Sequence, residues 1–263
     1  MRTEQINQND SKNAFIRLFL RNIPFWPLFA ITIFISLAIC FVKLKFTVPV
    51  YQTNASILIK DEKKGQEDSK MEEVLNVFGS KKIVENEQEV LKSNSIVSEV
   101  ARRLHLYAPI FEESGWRSMK ARSGYISCPV SIEAKNPDEV QRLKKAYFEY
   151  DSEKKSILYN GKTYGLNDWI ATGKGTIRFV ANKNYKKLVD ENDEEEAISK
   201  FYFQLIPLKS TTLSTIEGLT IVPSSKQSSV INISYKDPVP ERAQNLLNEL
   251  VKVYNLSSIE RKN

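Results

Sequence analysis

PFWPLFAITIFISLAICFV, residues 24–42, carries no charged side chain and is closed on its far side by Lys43 and Lys45. In a helix rising about 1.5 Å per residue, such a run is just long enough to cross a hydrocarbon core of roughly 30 Å. Leu28, Phe29, Ile31, Ile33, Phe34, Ile35, Leu37, Ile39, Phe41 and Val42 each favour insertion by a few tenths of a kcal/mol, so the sum is on the order of several. A buried core helix is the alternative, but such helices seldom stay apolar on every face over this length. A cleaved signal peptide would show a shorter apolar core and a small-residue cleavage site. Here a long polar leader precedes the run, Lys-Leu-Lys-Phe follows it, and no Ala-x-Ala pattern occurs. The segment reads as an uncleaved transmembrane helix. Trp26 suits an interface, and Pro24 and Pro27 suit a first helical turn, where a missing N–H costs little.

Arg2, Lys12, Arg17 and Arg21 precede the span, while Lys43, Lys45 and Lys60 follow it. That charge bias is too small to set orientation, and the positive-inside rule has little hold over long translocated domains. Roughly 220 residues follow the span, enough for one large domain or two small ones. The formal net charge of +6 comes from basic residues interspersed with acidic ones, as in KDEKK and ENDEEE. Such interspersion makes no single-sign stripe for nucleic acid, and Lys63 and Lys64 read as part of a solvated loop. Cys40 lies inside the apolar run and Cys128 far along the chain, so they are not expected to pair. The single histidine, His105, cannot with these cysteines assemble a transition-metal site; it reads as a surface or partly buried structural residue.

Along the outer region, Tyr51, Ala55, Ile57 and Ile59 alternate with Asn54, Ser56 and Lys60, the pattern of a half-buried strand. Residues 61–69 read as a charged loop. Helical spacing follows: Val74, Leu75, Val77 and Phe78, ended by Gly79; then Ile83, Val84, Val90 and Leu91; then Ile96, Val97, Val100, Ala101 and Leu104, capped by Asn94 or Ser95. From Gly124 to Leu208 strands dominate, at 125–133, 146–150, 156–159, 176–180 and 201–208, with helices expected after Pro137 and from Asp190 to Ala197. Asn160-Gly161 between two short strand patterns signals a type I′ hairpin. Residues 230–235 alternate again. Asp237 is then expected to cap a helix with Pro238 at its first position, carrying Ala243, Leu246, Leu247, Leu250, Val253 and Tyr254 on one face. This helix is expected to run to the last residue.

Chemical motifs are few. Gly161-Lys162-Thr163 resembles the end of a phosphate-binding loop, but the required first glycine falls on Ser156; around Lys174 it falls on Trp169. Both read as turns. Glu85 and Glu89 share a helix face, Glu87 does not, and the group reads as a polar face rather than as paired glycosidase carboxylates. No catalytic, cofactor-binding or metal-binding residue is assigned, no cofactor is expected, and the chain reads as a non-enzyme.

Three stretches together carry a family resemblance: FTVPVYQTNASILIKDEKKG at 46–65, NEQEVLKSNSIVSEVARRLHL at 86–106, and INISYKDPVPERAQNLLNELVKVYNLSSIERKN at 231–263. They resemble the N-terminal portion of the Wzz-type chain-length determinants, the polysaccharide co-polymerases, and in particular the Bacteroidetes branch fused to tyrosine autokinases. The resemblance implies a cytoplasmic N-terminus, a periplasmic α/β domain at the bacterial inner membrane, a helical extension and a second transmembrane helix. It also implies a closed homo-oligomer that sets the length of a lipopolysaccharide O-antigen, capsule or exopolysaccharide, working with a polysaccharide polymerase and an outer-membrane export protein. This sequence holds one apolar span and no Walker-type lysine motif. A parent chain continuing past Asn263 is expected to carry both, and no autokinase activity is assigned to these residues.

The expected fold is α+β: a leader at 1–23, a transmembrane helix at 24–42, a first part of the Wzz-like domain at 46–123, a strand-rich insertion at 124–208 and a closing strand–helix unit at 209–263. The strand-rich middle exceeds what the resemblance implies. The expected function is a non-catalytic co-polymerase or scaffold, with the lipid bilayer and further copies of itself as partners. Tyr125, Tyr159, Tyr164 and Trp169 are the candidate aromatic faces for a glycan contact, set against ordinary sheet packing. Two alternatives stand beside this reading. One is a periplasmic sensor domain serving a tyrosine autokinase. The other is an export-pump adaptor, against which the lack of a sustained heptad between Lys70 and Leu106 speaks.

Overall fold

A computed structural model describes residues 25–59, 83–112, 122–186, 198–225 and 228–260. Contacts divide the chain into two units, Met1–Val48 and Pro49–Asn263.

The first unit carries the helix Trp26–Phe46, with Pro27 in its opening turn and Lys43 and Lys45 in its last. Every residue from 25 to 45 is exposed, so no face of this helix serves as core. It is long and apolar enough to cross a membrane. Its start lies two residues later than the uncharged run, and its end includes both lysines. Their cationic heads complement the carbonyl end of the helix while their stems stay apolar. Pro24 lies outside the described residues.

The described residues of the second unit form twelve strands: β1 Tyr51–Leu58, β2 Ile110–Glu112, β3 Arg122–Ser123, β4 Val130–Ala134, β5 Leu143–Asp151, β6 Ser156–Tyr159, β7 Lys162–Gly165, β8 Ile170–Ala171, β9 Thr176–Ala181, β10 Ile198–Leu205, β11 Leu219–Pro223 and β12 Val230–Asp237. β1, β12 and β11 form an antiparallel sheet in that order. Ala55 lies opposite Ile233 and Ile57 opposite Ile231, with Ile233 opposite Ile221 on the other side. This face buries against helices at 83–91, Asn94–Arg103 and Pro240–Glu260 through Leu91, Val97, Val100, Leu246, Leu247 and Leu250. The other face is exposed and mixed, with Asn54, Ser56 and Asn232 beside Leu58 and Val222; Ser56 donates to the Asn232 amide oxygen at 2.9 Å. The period-2 pattern of β1 is thereby explained: each inward residue meets a core and each outward one meets water.

Between these strands sits a second core. The sheet β3-β2-β10-β5-β6-β7 and the sheet β4-β9-β8 share one cluster of buried residues, including Ile132, Phe148, Ile157, Ile177, Phe179, Phe201 and Phe203. The Phe148 and Phe179 rings lie 4.9 Å apart, and Phe179 meets Phe203 edge-on at 6.0 Å. The β6–β7 hairpin turns through Asn160 at φ 48° and Gly161 at φ 73°, the paired left-handed residues of a type I′ turn. Leu106 packs against both cores.

Several local expectations are corrected. After Pro137 only a 3₁₀ turn forms, Pro137–Glu139. The following residues become β5, because Leu143, Ala146 and Phe148 pair with β10 and enter the aromatic core. Residues 124–127 are a turn, closed by the Cys128 N–H on the Gly124 carbonyl at 3.0 Å, and the strand begins only at Val130. β10 ends at Leu205, and an unforeseen helix, Leu208–Gly218, follows Pro207. Its serine- and threonine-rich sequence has weak helical preference. The Thr212 and Thr215 hydroxyls instead donate to carbonyls four residues back, both at 2.9 Å. The cap before Ile96 is Ser93, not Asn94 or Ser95. Asp237 remains in β12, and the long helix opens with Pro240. The loop at 61–69, the helix around Val74 to Gly79 and the acidic stretch Asp190–Ala197 lie outside the described residues.

Gly218 ends the unforeseen helix where the Tyr235 ring crosses it. A Cβ there would stand 2.7 Å from Tyr235 Cε2, closer than carbon atoms pack. Gly218→Ala is therefore expected to destabilise the domain by about 1–3 kcal/mol through overpacking. Urea unfolding measures it, and an unchanged midpoint would mean that the Tyr235 ring moves aside freely.

Candidate binding cleft

The polypeptide after Arg103 turns sharply at His105, whose φ of 52° is left-handed and uncommon outside Gly, Asn and Asp. That turn opens a cleft of about 910 Å³ between the strand-rich core and the Pro240–Glu260 helix. Its walls come from separated parts of the chain. Arg103 and His105 contribute from the turn, Tyr125 from the loop before β4, Arg142 from just before β5, and Asn182, Lys183 and Asn184 from the turn after β9. Ser210 and Ser214 come from the Leu208–Gly218 helix, and Arg242, Asn245, Asn248, Glu249 and Lys252 from the long helix.

Much of the wall is held by internal bonds. Asp237, nearly fully buried, accepts Arg242 Nε at 2.8 Å and Nη2 at 2.9 Å, and its Oδ1 accepts the Val239 N–H at 2.7 Å. Proline at 238 and 240 leaves Val239 as the N–H donor between them. The Asn182 amide donates to the carbonyls of Tyr125 and Cys128 at 2.9 and 2.8 Å, and its oxygen accepts the Asn184 N–H at 2.9 Å. Asn245 donates to the Tyr125 hydroxyl at 2.9 Å and to the Asn184 side-chain oxygen at 3.0 Å. Across the rim, Arg103 Nη1 contacts Glu249 at 3.1 Å and Lys186 contacts Glu241 at 3.2 Å. These bonds fix the long helix against the strand-rich core.

The cleft is electropositive. Five cationic side chains, Arg103, Arg142, Lys183, Arg242 and Lys252, line it with two carboxylates, Asp237 and Glu249. Both carboxylates are taken, Asp237 by Arg242 and Glu249 by Arg103 and, at 3.7 Å, Lys252. Among the described residues, Arg142 and Lys183 have no such partner. Burial holds the His105 imidazole below its ordinary range, with Glu133 opposing and Arg178 and Lys183 adding to the depression.

A depressed histidine has a definite consequence for stability. Protonation is harder in the folded state, so the unfolded chain takes up its proton first as pH falls below about 6.5. The contribution is fully present above that pH and is lost as the pH drops towards the folded value. His105→Asn keeps a residue that tolerates positive φ and removes the titration. Its unfolding midpoint is expected to decline less between about pH 7 and pH 5 than that of the parent chain. Parallel pH profiles for the two proteins would refute the assignment.

The four aromatic candidates are not brought together. Tyr125 lines the cleft. Tyr159 is buried against Phe203 at 5.8 Å, and Tyr164 packs beside the same core. Trp169 is exposed beneath the Arg178 guanidinium, 4.7 Å from its ring. Gly161 occupies the hairpin turn, and Gly173 and Gly175 a second turn, so neither lysine motif forms a phosphate loop. Glu87 accepts the Tyr254 hydroxyl at 2.8 Å, while Glu85 and Glu89 face solvent. Cys128 is buried and its thiol is pushed up to about 12 by that burial, which makes it a poor nucleophile. No group of three His, Cys, Asp or Glu among the described residues could hold a metal ion. Sequence reasoning missed Arg142, Lys183 and the four asparagines; the polar run Asn182-Lys183-Asn184 was the one local signal.

The family model for the Wzz chain length determinant protein matches residues 16–104, about a third of the chain. The matched stretch takes in the apolar helix, β1 and the helices at 83–91 and Asn94–Arg103, and it ends where the cleft begins. No curated protein matches the chain.

Proposed function

We propose, from the Wzz match over residues 16–104, that the protein is a membrane-anchored, non-catalytic regulator of chain length in the synthesis of a surface polysaccharide. The single observation that carries this reading is the span of the match. It joins an apolar helix to β1 and the helices that cover its sheet. β1 is completed in turn by β12, through eight paired positions from Tyr51–Asp237 to Leu58–Val230. Within the second unit, β1, the matched helices at 83–91 and Asn94–Arg103 and the long helix after β12 therefore belong to one α/β layer.

On this reading the helix Trp26–Phe46 sits in a bacterial inner membrane, with the leader cytoplasmic and the domain periplasmic. Copies of the chain assemble side by side and act with a polymerase and an outer-membrane export protein on an O-antigen, capsule or exopolysaccharide. The segments at 86–106 and 231–263 support a relationship to the branch fused to tyrosine autokinases. The strand-rich region from 124 to 208 is then an insertion on the Wzz-like layer. A sensor domain is the second reading, favoured by the cleft.

Surface-polysaccharide length on gels tests this directly, comparing a strain lacking the gene with one carrying residues 1–263. Loss of the preferred length on deletion, restored by this chain, is the expected result. Loss without restoration would mean that chain-length control needs sequence beyond Asn263. An unchanged length distribution on deletion would sink the reading and favour the sensor.

A further inference from the structure

We infer that the cleft recognises an acidic saccharide, a hydroxyl-rich ligand bearing carboxylate or phosphate groups. The inference rests on the polysaccharide reading and names the ligand class of that same protein. Arg142 and Lys183 reach the cleft from separate places, just before β5 and in the turn after β9. Both side chains are exposed, so together they add positive potential to the concavity they line. The carboxylates that could have served are engaged by Arg242, Arg103 and Lys252. The positive potential is therefore left for a ligand.

The neutral groups narrow the class. Ser210 and Ser214 lie one helical turn apart on the same wall, and the exposed amide of Asn248 faces the cleft from the long helix. Among the described residues, none of the three side chains has a hydrogen-bond partner. Hydroxyls and amides both donate and accept, which matches sugar hydroxyls better than a bare anion. At about 910 Å³ the cleft also exceeds what a single inorganic ion fills. Recognition of single-stranded nucleic acid would require stacking platforms. Of the aromatic rings lining the cleft, Phe111 stacks on Tyr202, Tyr235 packs against Gly218 and the Tyr125 hydroxyl is held by Asn245, so they offer no series of free faces.

The test is calorimetric titration of the full chain in detergent micelles with four probes: short oligogalacturonides, malto-oligosaccharides of equal length, inorganic phosphate and a polyglutamate peptide. The cleft variant is Arg142→Gln with Lys183→Gln. The control, Lys154→Gln with Lys162→Gln, removes the same charge from the β5–β6–β7 edge. Oligogalacturonide is expected to bind the parent chain and the control alike, and the cleft variant about tenfold or more weakly, the loss expected for a charged hydrogen bond. Melting temperatures report whether each variant folds. Absence of oligogalacturonide binding, equal loss in both variants, or equal affinity for phosphate, polyglutamate or the neutral sugar would each overturn the inference. Binding with an unchanged polysaccharide length after gene deletion would retain the saccharide site and reject the chain-length role. A changed length without binding would do the reverse.

Discussion

Asp237→Ala is expected to lower the unfolding free energy by about 3–5 kcal/mol, the range for breaking a buried ion pair from one side. Three bonds end on this carboxylate: two from Arg242 at 2.8 and 2.9 Å and one from the Val239 N–H at 2.7 Å. Removing it strands a guanidinium whose side chain is 21% exposed and a backbone donor inside the protein. The Val239 donor stays buried, and the guanidinium meets water only where it lines the cleft. Asp237→Asn separates the contributions, because its amide oxygen still accepts from Val239 while the charge pairing is gone; a smaller loss is expected. Chemical denaturation at neutral pH measures both, and for a domain of this size the melting temperature should fall on the order of 10 °C. A loss below about 1 kcal/mol for the alanine variant, the level of an exposed pair, would show that water reaches Arg242. Because Asp237 closes β12 and Arg242 opens the long helix, the same variant should also loosen the cleft.

Phe203→Ala is expected to cost a similar 3–5 kcal/mol, the usual range for deleting a buried phenyl ring. Phe203 is fully buried and contacts the rings of Phe148 at 6.1 Å, Tyr159 at 5.8 Å and Phe179 at 6.0 Å. It belongs to β10, while Phe148, Tyr159 and Phe179 belong to β5, β6 and β9, so one ring ties both sheets of the strand-rich core. The alanine leaves a cavity that rigid strands on both sides cannot collapse. Phe203→Leu fills most of the volume and should cost much less. Hydrogen exchange locates the damage: protection should fall first in β5, β9 and β10. A uniform fall across the α/β layer as well would show that the two cores unfold as one unit. Equal stability of the alanine and leucine variants would contradict the packing argument.

The readable parts of the chain share one property, that their structure is dictated by neighbours close in sequence. The uncharged run before Lys43, the Asn160-Gly161 turn and the apolar stripe from Ala243 to Tyr254 were legible for that reason. The errors fall where a distant partner overrides a local preference. Residues after Pro137 became strand because β10 was there to pair with them. Leu208–Gly218 became helix although its hydroxyl side chains argue otherwise, since burial of Leu208, Thr212 and Thr215 supplies what propensity does not. Of the four aromatic residues proposed for a sugar contact, spacing could not tell that Tyr159 points into a core and Tyr125 into a cleft. The cleft itself was invisible. Its cations stand at positions 103, 142, 183, 242 and 252, with no spacing that a linear motif would show.

The sequence by itself determined the apolar helix, the alternation of β1 and β12 and the amphipathic face of the last helix. Each follows from charge-free length or from a period of two or 3.6 residues. Only the tertiary structure decided that β1 pairs with β12 across the chain, that two sheets close over the Phe148–Phe179–Phe203 cluster, and that Arg142 and Lys183 line one concavity. The physical reason is that periodicity says which face of an element is buried and leaves open what buries it. That second choice is made by shape and charge matching between distant segments, where each pairing must outweigh the entropy of closing a long loop.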